Sequence, residues 1–142
     1  MIEETAYASV VSPVSSIDPH ALGKRGERRA CDNLRERGWD ILQTNWDSGF
    51  GEVDIIARAP ELPYETVVFV EVKTRRTLGD DDLMPEEAVD FDKRGRYRNA
   101  AKSYLQLHEW VANVRFDVIA LTVFPDGHAH LHQDYAAFGM DN

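Results

Sequence analysis

Apolar residues recur along this chain at two spacings, and each change of spacing marks an element. Leu22, Gly26, Ala30 and Leu34 recur every four residues and predict one amphipathic helix. Asp18-Pro19 supplies its start, an N-cap acid followed by proline at the first helical position. Gly38 is placed to end it after Arg37. Beyond Gly38 the period falls to two. WDILQTNW (39–46), GEVDIIAR (51–58) and TVVFVEVK (66–73) predict three strands, the last two separated by the prolines of APELPYE. Along the second strand, alternation sets Val53, Ile55 and Ala57 on one face and Glu52, Asp54 and Ile56 on the other. Helical sequence opens at Pro85, with a break near Asp90, and carries Val89, Tyr97, Ala100, Ala101, Tyr104 and Leu105 as its apolar side. VRFDVIALTV (114–123) predicts a fourth strand and HAHLH a short last one, after the turn at Pro125-Asp126-Gly127. Residues 1–17 show no trusted period and are expected to be a mobile tail. The folded domain is expected over 18–135 and a C-terminal tail over 136–142. The order predicts an α/β fold, a mixed central sheet flanked by helices.

Composition narrows the setting. At 142 residues the chain suits one domain with a real core. Its single cysteine, Cys31, forms no intrachain disulfide and is expected as a small packed side chain. The acidic start MIEETAYASV has no signal-peptide pattern, and no run nears the roughly 20 apolar residues of a membrane span. A cytoplasmic protein is the expectation. The net charge of −9 argues against nucleic acid at first sight. Distribution matters more than the sum: fourteen of the sixteen Lys and Arg residues fall within 24–37, 73–76 and 93–102. A basic face on an acidic body is therefore compatible with the composition, as is the solvated face of a helix for any single cluster.

The strand VFVEVKTRR (68–76) holds an acid and an ammonium where more valine would fill a core. Glu71 and Lys73 share a face with Phe69, and Glu52 and Asp54 share one in the strand before. If the two strands pair antiparallel with these faces together, Asp54, Glu71 and Lys73 converge. Glu27, on or beside the inner stripe of the first helix, is a fourth candidate. Carboxylates held together need a shared proton or a hard cation. Mg²⁺ suits them, because it takes oxygen ligands and keeps several waters. A lysine beside such a site adds a point charge that can steady phosphoryl charge. These are the parts that phosphodiester hydrolysis requires.

Asp54, followed after a hairpin-sized gap by Glu71-Val72-Lys73, resembles the D…(D/E)xK core of restriction-endonuclease-like nucleases. More closely, GKRGERRACDNLRERGWDILQTNW, GEVDIIAR, VFVEVKTRR, PEEAVDFDKRGRYRNAAKSYL and RFDVIAL are similar, in order, to segments of the bacterial UPF0102 family. That resemblance covers about residues 23–121. It implies a restriction-endonuclease-like domain with Asp54 and Glu71 as metal ligands and Lys73 as the catalytic lysine. Glu27 becomes an additional acidic member, and Glu52 belongs to the family's GE-x-D segment as a further candidate ligand. One or two Mg²⁺ or Mn²⁺ ions are the implied cofactor. Val53 stands where the broader nuclease pattern has proline, which leaves the ligands untouched.

DNA is the expected partner, with Arg75, Arg76, Lys93 and Arg96 as candidate phosphate contacts, alongside Arg94 and Arg98. A homodimer fits two-strand cutting, although the sequence displays no interface. The competing class is a non-catalytic nucleic-acid-binding or protein-interaction module that keeps the fold. Elsewhere the blander readings prevail. His128, His130 and His132 share a face, but the outer two lie roughly 13 Å apart at strand rise, too far for one zinc. An exposed edge strand is expected there. Arg115 and Asp117 are expected to form a structural pair, and Trp39, Trp46 and Trp110 to pack in the core or at its rim.

Overall fold

The structure, a computed structural model, describes residues 2–7, 18–77 and 91–140. The elements are β1 (Ile2–Tyr7), α1 (Pro19–Glu36), β2 (Asp40–Asp47), β3 (Glu52–Arg58), β4 (Thr66–Arg76), α2 (Phe91–Leu107), β5 (Asn113–Val123) and β6 (His128–Phe138). The α1 boundaries follow from backbone satisfaction. Asp18 accepts from the amides of His20 and Ala21 at 3.0 and 3.1 Å. At the other end Gly38, with φ 85°, closes a Schellman turn through Trp39 N to Leu34 O and Gly38 N to Arg35 O, both 2.9 Å.

The six strands form one mixed sheet in the order β1-β6-β5-β4-β3-β2. Only β4 and β5 run parallel, and the crossover between them carries α2. The architecture is therefore the α/β one expected, consistent with a restriction-endonuclease-like fold. One face of the sheet packs Phe69, Phe116 and Val118 against Tyr97, Ala100, Ala101 and Tyr104 of α2. The other packs Ile55, Val68, Val70 and Ile119 against Ala30, Cys31 and Leu34 of α1. The sheet is the middle layer, which is why β4 and β5 read as nearly continuous apolar runs.

Several expectations need correction. Residues 2–7 are not a tail. They form an edge strand along β6, from Ile2 opposite Gln133 to Tyr7 opposite His128. The strand state here comes from a partner's unpaired edge, which a local pattern does not reveal. Residues 8–17 and the expected helical start at Pro85 lie outside the described residues. The last strand runs to Phe138, past the expected boundary at 135, because Phe138 stacks on Phe116 at 4.6 Å. With β1 outside it, β6 is an inner strand and not an edge. Its three histidines are half-buried on one face, with Ala129, Leu131 and Gln133 buried on the other.

A second polar cluster braces the sheet where β5 and β6 slip register between Phe116 and Val118. Asp117 is fully buried and accepts from Arg115 Nε and Nη2 at 2.9 and 2.8 Å. It also accepts from Gln133 Nε2 at 3.1 Å and from the amide of Ala136 at 2.9 Å. Each carboxylate oxygen thus has two donors, so this pair is structural, as expected.

Candidate active site

The site lies where the β3–β4 ladder opens. Pairing runs from Ala57 opposite Val68 to Ile55 opposite Val70 and goes no further. The next amide, that of Val72, donates instead to Asp54 Oδ2 at 2.8 Å. A side chain has replaced the ladder bond, and the strand turns at that point. Val53 consequently joins the α2-side core with Ile56, while Ile55 and Ala57 join the α1 side. This overturns the strict alternation expected for β3: a local break exchanges faces between Val53 and Ile55. Across from it on β2, Asn45 adopts a positive φ of 50°.

The break brings Asp54 to Glu71. Both line a cavity of about 270 Å³ whose walls also include Gly51, Glu52, Lys93, Arg96 and Tyr97. Glu71 is 3% exposed, although it is ionisable. Its Oε1 meets Lys93 Nζ and its Oε2 accepts from the Tyr97 hydroxyl, both in close contact. Lys93 and Tyr97 are four residues apart on α2, so one face of the helix delivers both.

Electrostatics follow from this crowding. Burial raises the Asp54 carboxyl from its ordinary value to about 7, and the Glu71 charge pushes the same way. The charge of Glu27 adds to the rise, while the Val72 amide opposes it. The Tyr97 hydroxyl is driven well above its usual range, first by burial and then by Glu71 and Asp54. A phenol held neutral remains a donor, which suits its place on Glu71.

The remaining candidates are arranged around this pair. Glu27 belongs to α1, in the opposite layer, yet its Oε1 accepts from Asn45 Nδ2 at 2.9 Å. The same amide nitrogen donates to Glu52 Oε1 at 3.1 Å, so Asn45 ties Glu27 to Glu52 at the open end of the ladder. Glu27 also pairs with Lys24 at 3.5 Å. Lys73 lies two residues beyond Glu71 on β4, half-buried and outside the cavity walls. Arg75 is half-buried further along the strand and Arg76 is exposed. Arg96 is exposed at the cavity, its stem packed near Gly51, where a glycine φ of 126° lets the hairpin approach. Arg94 and Arg98 instead stack over Phe138, and Arg98 Nε donates to Gly139 O at 2.8 Å.

Sequence reasoning missed Tyr97, which it took for a core aromatic, and Asn45. The i, i+4 spacing of Lys93 and Tyr97 was a usable signal; for Asn45 there was none. Among the described residues, no three Asp, Glu, His or Cys side chains gather into a ready-made metal cage. Asp54 and Glu71 alone fit a hard cation that keeps most of its own waters. Burial chiefly, and then the Glu71 charge, disfavour the ionised Asp54 carboxyl, a penalty that a cation would also relieve.

Taken together, the three-layer α/β architecture is consistent with a restriction-endonuclease-like fold, and it sets a carboxyl pair at an opened strand pair. The sequence relationships give the family. The model of the uncharacterised protein family UPF0102 matches residues 26–121. A UPF0102 protein of Nocardia farcinica is 42% identical over 125 residues, covering 87% of this chain and 91% of its own. One of Rhodococcus opacus is 45% identical over 105 residues, covering 72% and 83%. One of Dictyoglomus turgidum is 38% identical over 107 residues, covering 75% and 86%. This chain belongs to the UPF0102 family. Among the described residues, no helix is long and apolar enough to cross a membrane.

Proposed function

We propose that this protein is a divalent-metal-dependent nuclease that hydrolyses DNA phosphodiester bonds. The observation that carries the reading is the pairing of Asp54 with Glu71 in one cavity, with the Asp54 carboxyl raised to about 7. Asp54 and Glu71, with Glu52 at the rim, are the residues that would hold one or two Mg²⁺ or Mn²⁺ ions. Such ions supply Lewis-acid polarisation of a phosphodiester. Tyr97 fixes the Glu71 carboxylate through Oε2, so the ligand's orientation does not depend on solvent. Lys73 adds positive charge beside the reacting phosphate, and Glu27 tunes Asp54 from the α1 layer. Arg75, Arg76 and Arg96 receive the flanking phosphates and set the strand's path over the cavity.

One observation favours a second reading. Lys93 already neutralises Glu71, as in a site that has exchanged catalysis for structure. The protein would then be a nucleic-acid-binding or protein-interaction module. Cleavage of linear duplex, single-stranded and branched DNA with Mg²⁺ or Mn²⁺ separates the two. Activity that Asp54→Ala and Glu71→Gln abolish, with DNA binding retained, supports the nuclease. Absence of cleavage on all three substrates, with DNA binding unaffected by Asp54→Ala, sinks it.

A further inference from the structure

Glu71 has both carboxylate oxygens engaged by α2, but the two donors are unlike. Tyr97 is neutral and buried; Lys93 is charged, its side chain 34% exposed against 4% for Glu71. The Lys93 side chain is part-exposed, so its ammonium holds Glu71 from the less buried side of the pair. A divalent cation on Glu71 Oε1 would sit about 2 Å from that oxygen. The ammonium holds the same oxygen, and two cations so close in a poorly solvated cavity repel strongly. A cation therefore uses Oε1 only when Lys93 has left it. Tyr97 still grips Oε2, so Glu71 does not follow the departing lysine.

Glu52 and Asp54 line the same cavity, and a substrate phosphate there would add a further anion for Lys93. Lys93 and Arg96 are three residues apart on α2 and both line the cavity wall. A phosphate held by Arg96 lies within the sweep of a four-carbon side chain with three donors. We infer that Lys93 is a positioning residue shared between Glu71 and the substrate phosphate, so that nucleic acid opens the site to its cation. This rests on the nuclease reading of the same site and adds how that site is regulated. By linkage, phosphate and cation then tighten each other's binding reciprocally.

Mn²⁺ titration of the full chain, followed by electron paramagnetic resonance, tests the coupling. The wild type, Lys93→Met and Lys93→Arg are compared with and without a phosphorothioate single-stranded DNA, corrected for Mn²⁺ on the DNA alone. Without DNA, Lys93→Met should bind Mn²⁺ about tenfold more tightly than wild type, a size ordinary for coupled sites. Lys93→Arg, which keeps the charge, should stay within about twofold. DNA should tighten Mn²⁺ about tenfold more in the wild type than in Lys93→Met, where direct phosphate ligation of the ion is the coupling that remains. Unchanged or weaker Mn²⁺ binding in a Lys93→Met variant with native circular dichroism overturns the inference. Full DNA enhancement in that variant does the same. If wild type binds Mn²⁺ and Asp54→Asn abolishes it, such a result removes the Lys93 role alone. If no variant binds Mn²⁺ at millimolar concentration with or without DNA, the metal reading fails and takes this inference with it.

Discussion

Replacing Asp54 by Asn should stabilise the fold at neutral pH while removing the proposed activity. The wild-type carboxyl rises from 3.8 in the unfolded chain to about 7 when folded, chiefly through burial and then Glu71. An acid whose folded value is raised binds more protons folded than unfolded between those limits. Its contribution to stability is therefore most favourable below about pH 4, declines as pH rises towards 7, and is level beyond. At about 1.36 kcal/mol per pH unit, the full span comes to slightly more than about 4 kcal/mol. Coupling to Glu71 and residual solvent make about 2–4 kcal/mol the expected range. The Asp54→Asn side chain can still accept from the Val72 amide through its carbonyl oxygen, while its amide donates to Glu71. The ladder break is preserved without the charge clash. Urea denaturation of both proteins from pH 4 to pH 8 reads the difference directly. The curves should coincide within about 1 kcal/mol at pH 4 and diverge by about 2–4 kcal/mol at pH 8. Near pH 8 that corresponds to a melting temperature higher by roughly 5–12 °C for a chain of this length. Parallel pH profiles, or a less stable variant at pH 8, would refute the account of Asp54.

Two further outcomes test the scaffold. Asp117→Ala leaves the Arg115 guanidinium, Gln133 and the Ala136 amide without their acceptor. Because Arg115 is partly exposed and can recover some water, the loss should fall near 3 kcal/mol by chemical denaturation, with cavity geometry at Asp54 unchanged. Gly26→Ala would place a Cβ 1.8 Å from Thr74 Oγ1 and 2.9 Å from its Cβ, forcing α1 off β4. A cost of about 1–3 kcal/mol is expected, partly recovered when Thr74→Ala is added, in a double-mutant cycle read by thermal unfolding.

What the sequence determined by itself was local or periodic. Asp18-Pro19 and Gly38 bound α1 because caps satisfy backbone groups within a few residues. The apolar runs of β4 and β5 announced a sheet covered on both faces. The pattern of Asp54 and Glu71-Val72-Lys73 also marked the acidic site, since strand parity alone puts Glu71 and Lys73 on one face. Tertiary structure decided the rest. Residues 2–7 became a strand only because β6 offered an edge, and β6 reached Phe138 only because Phe116 was there to stack upon. The alternation of β3 failed at the place that matters, where the Asp54 carboxylate takes the Val72 amide and the chain exchanges faces. No local pattern encodes that exchange, because its cause is a hydrogen bond eighteen residues away in sequence. Likewise, Lys93 and Tyr97 acquire their meaning from a crossover that lays α2 over β4. Periodicity told which side chains are polar and where strands run; only packing told which charge meets which.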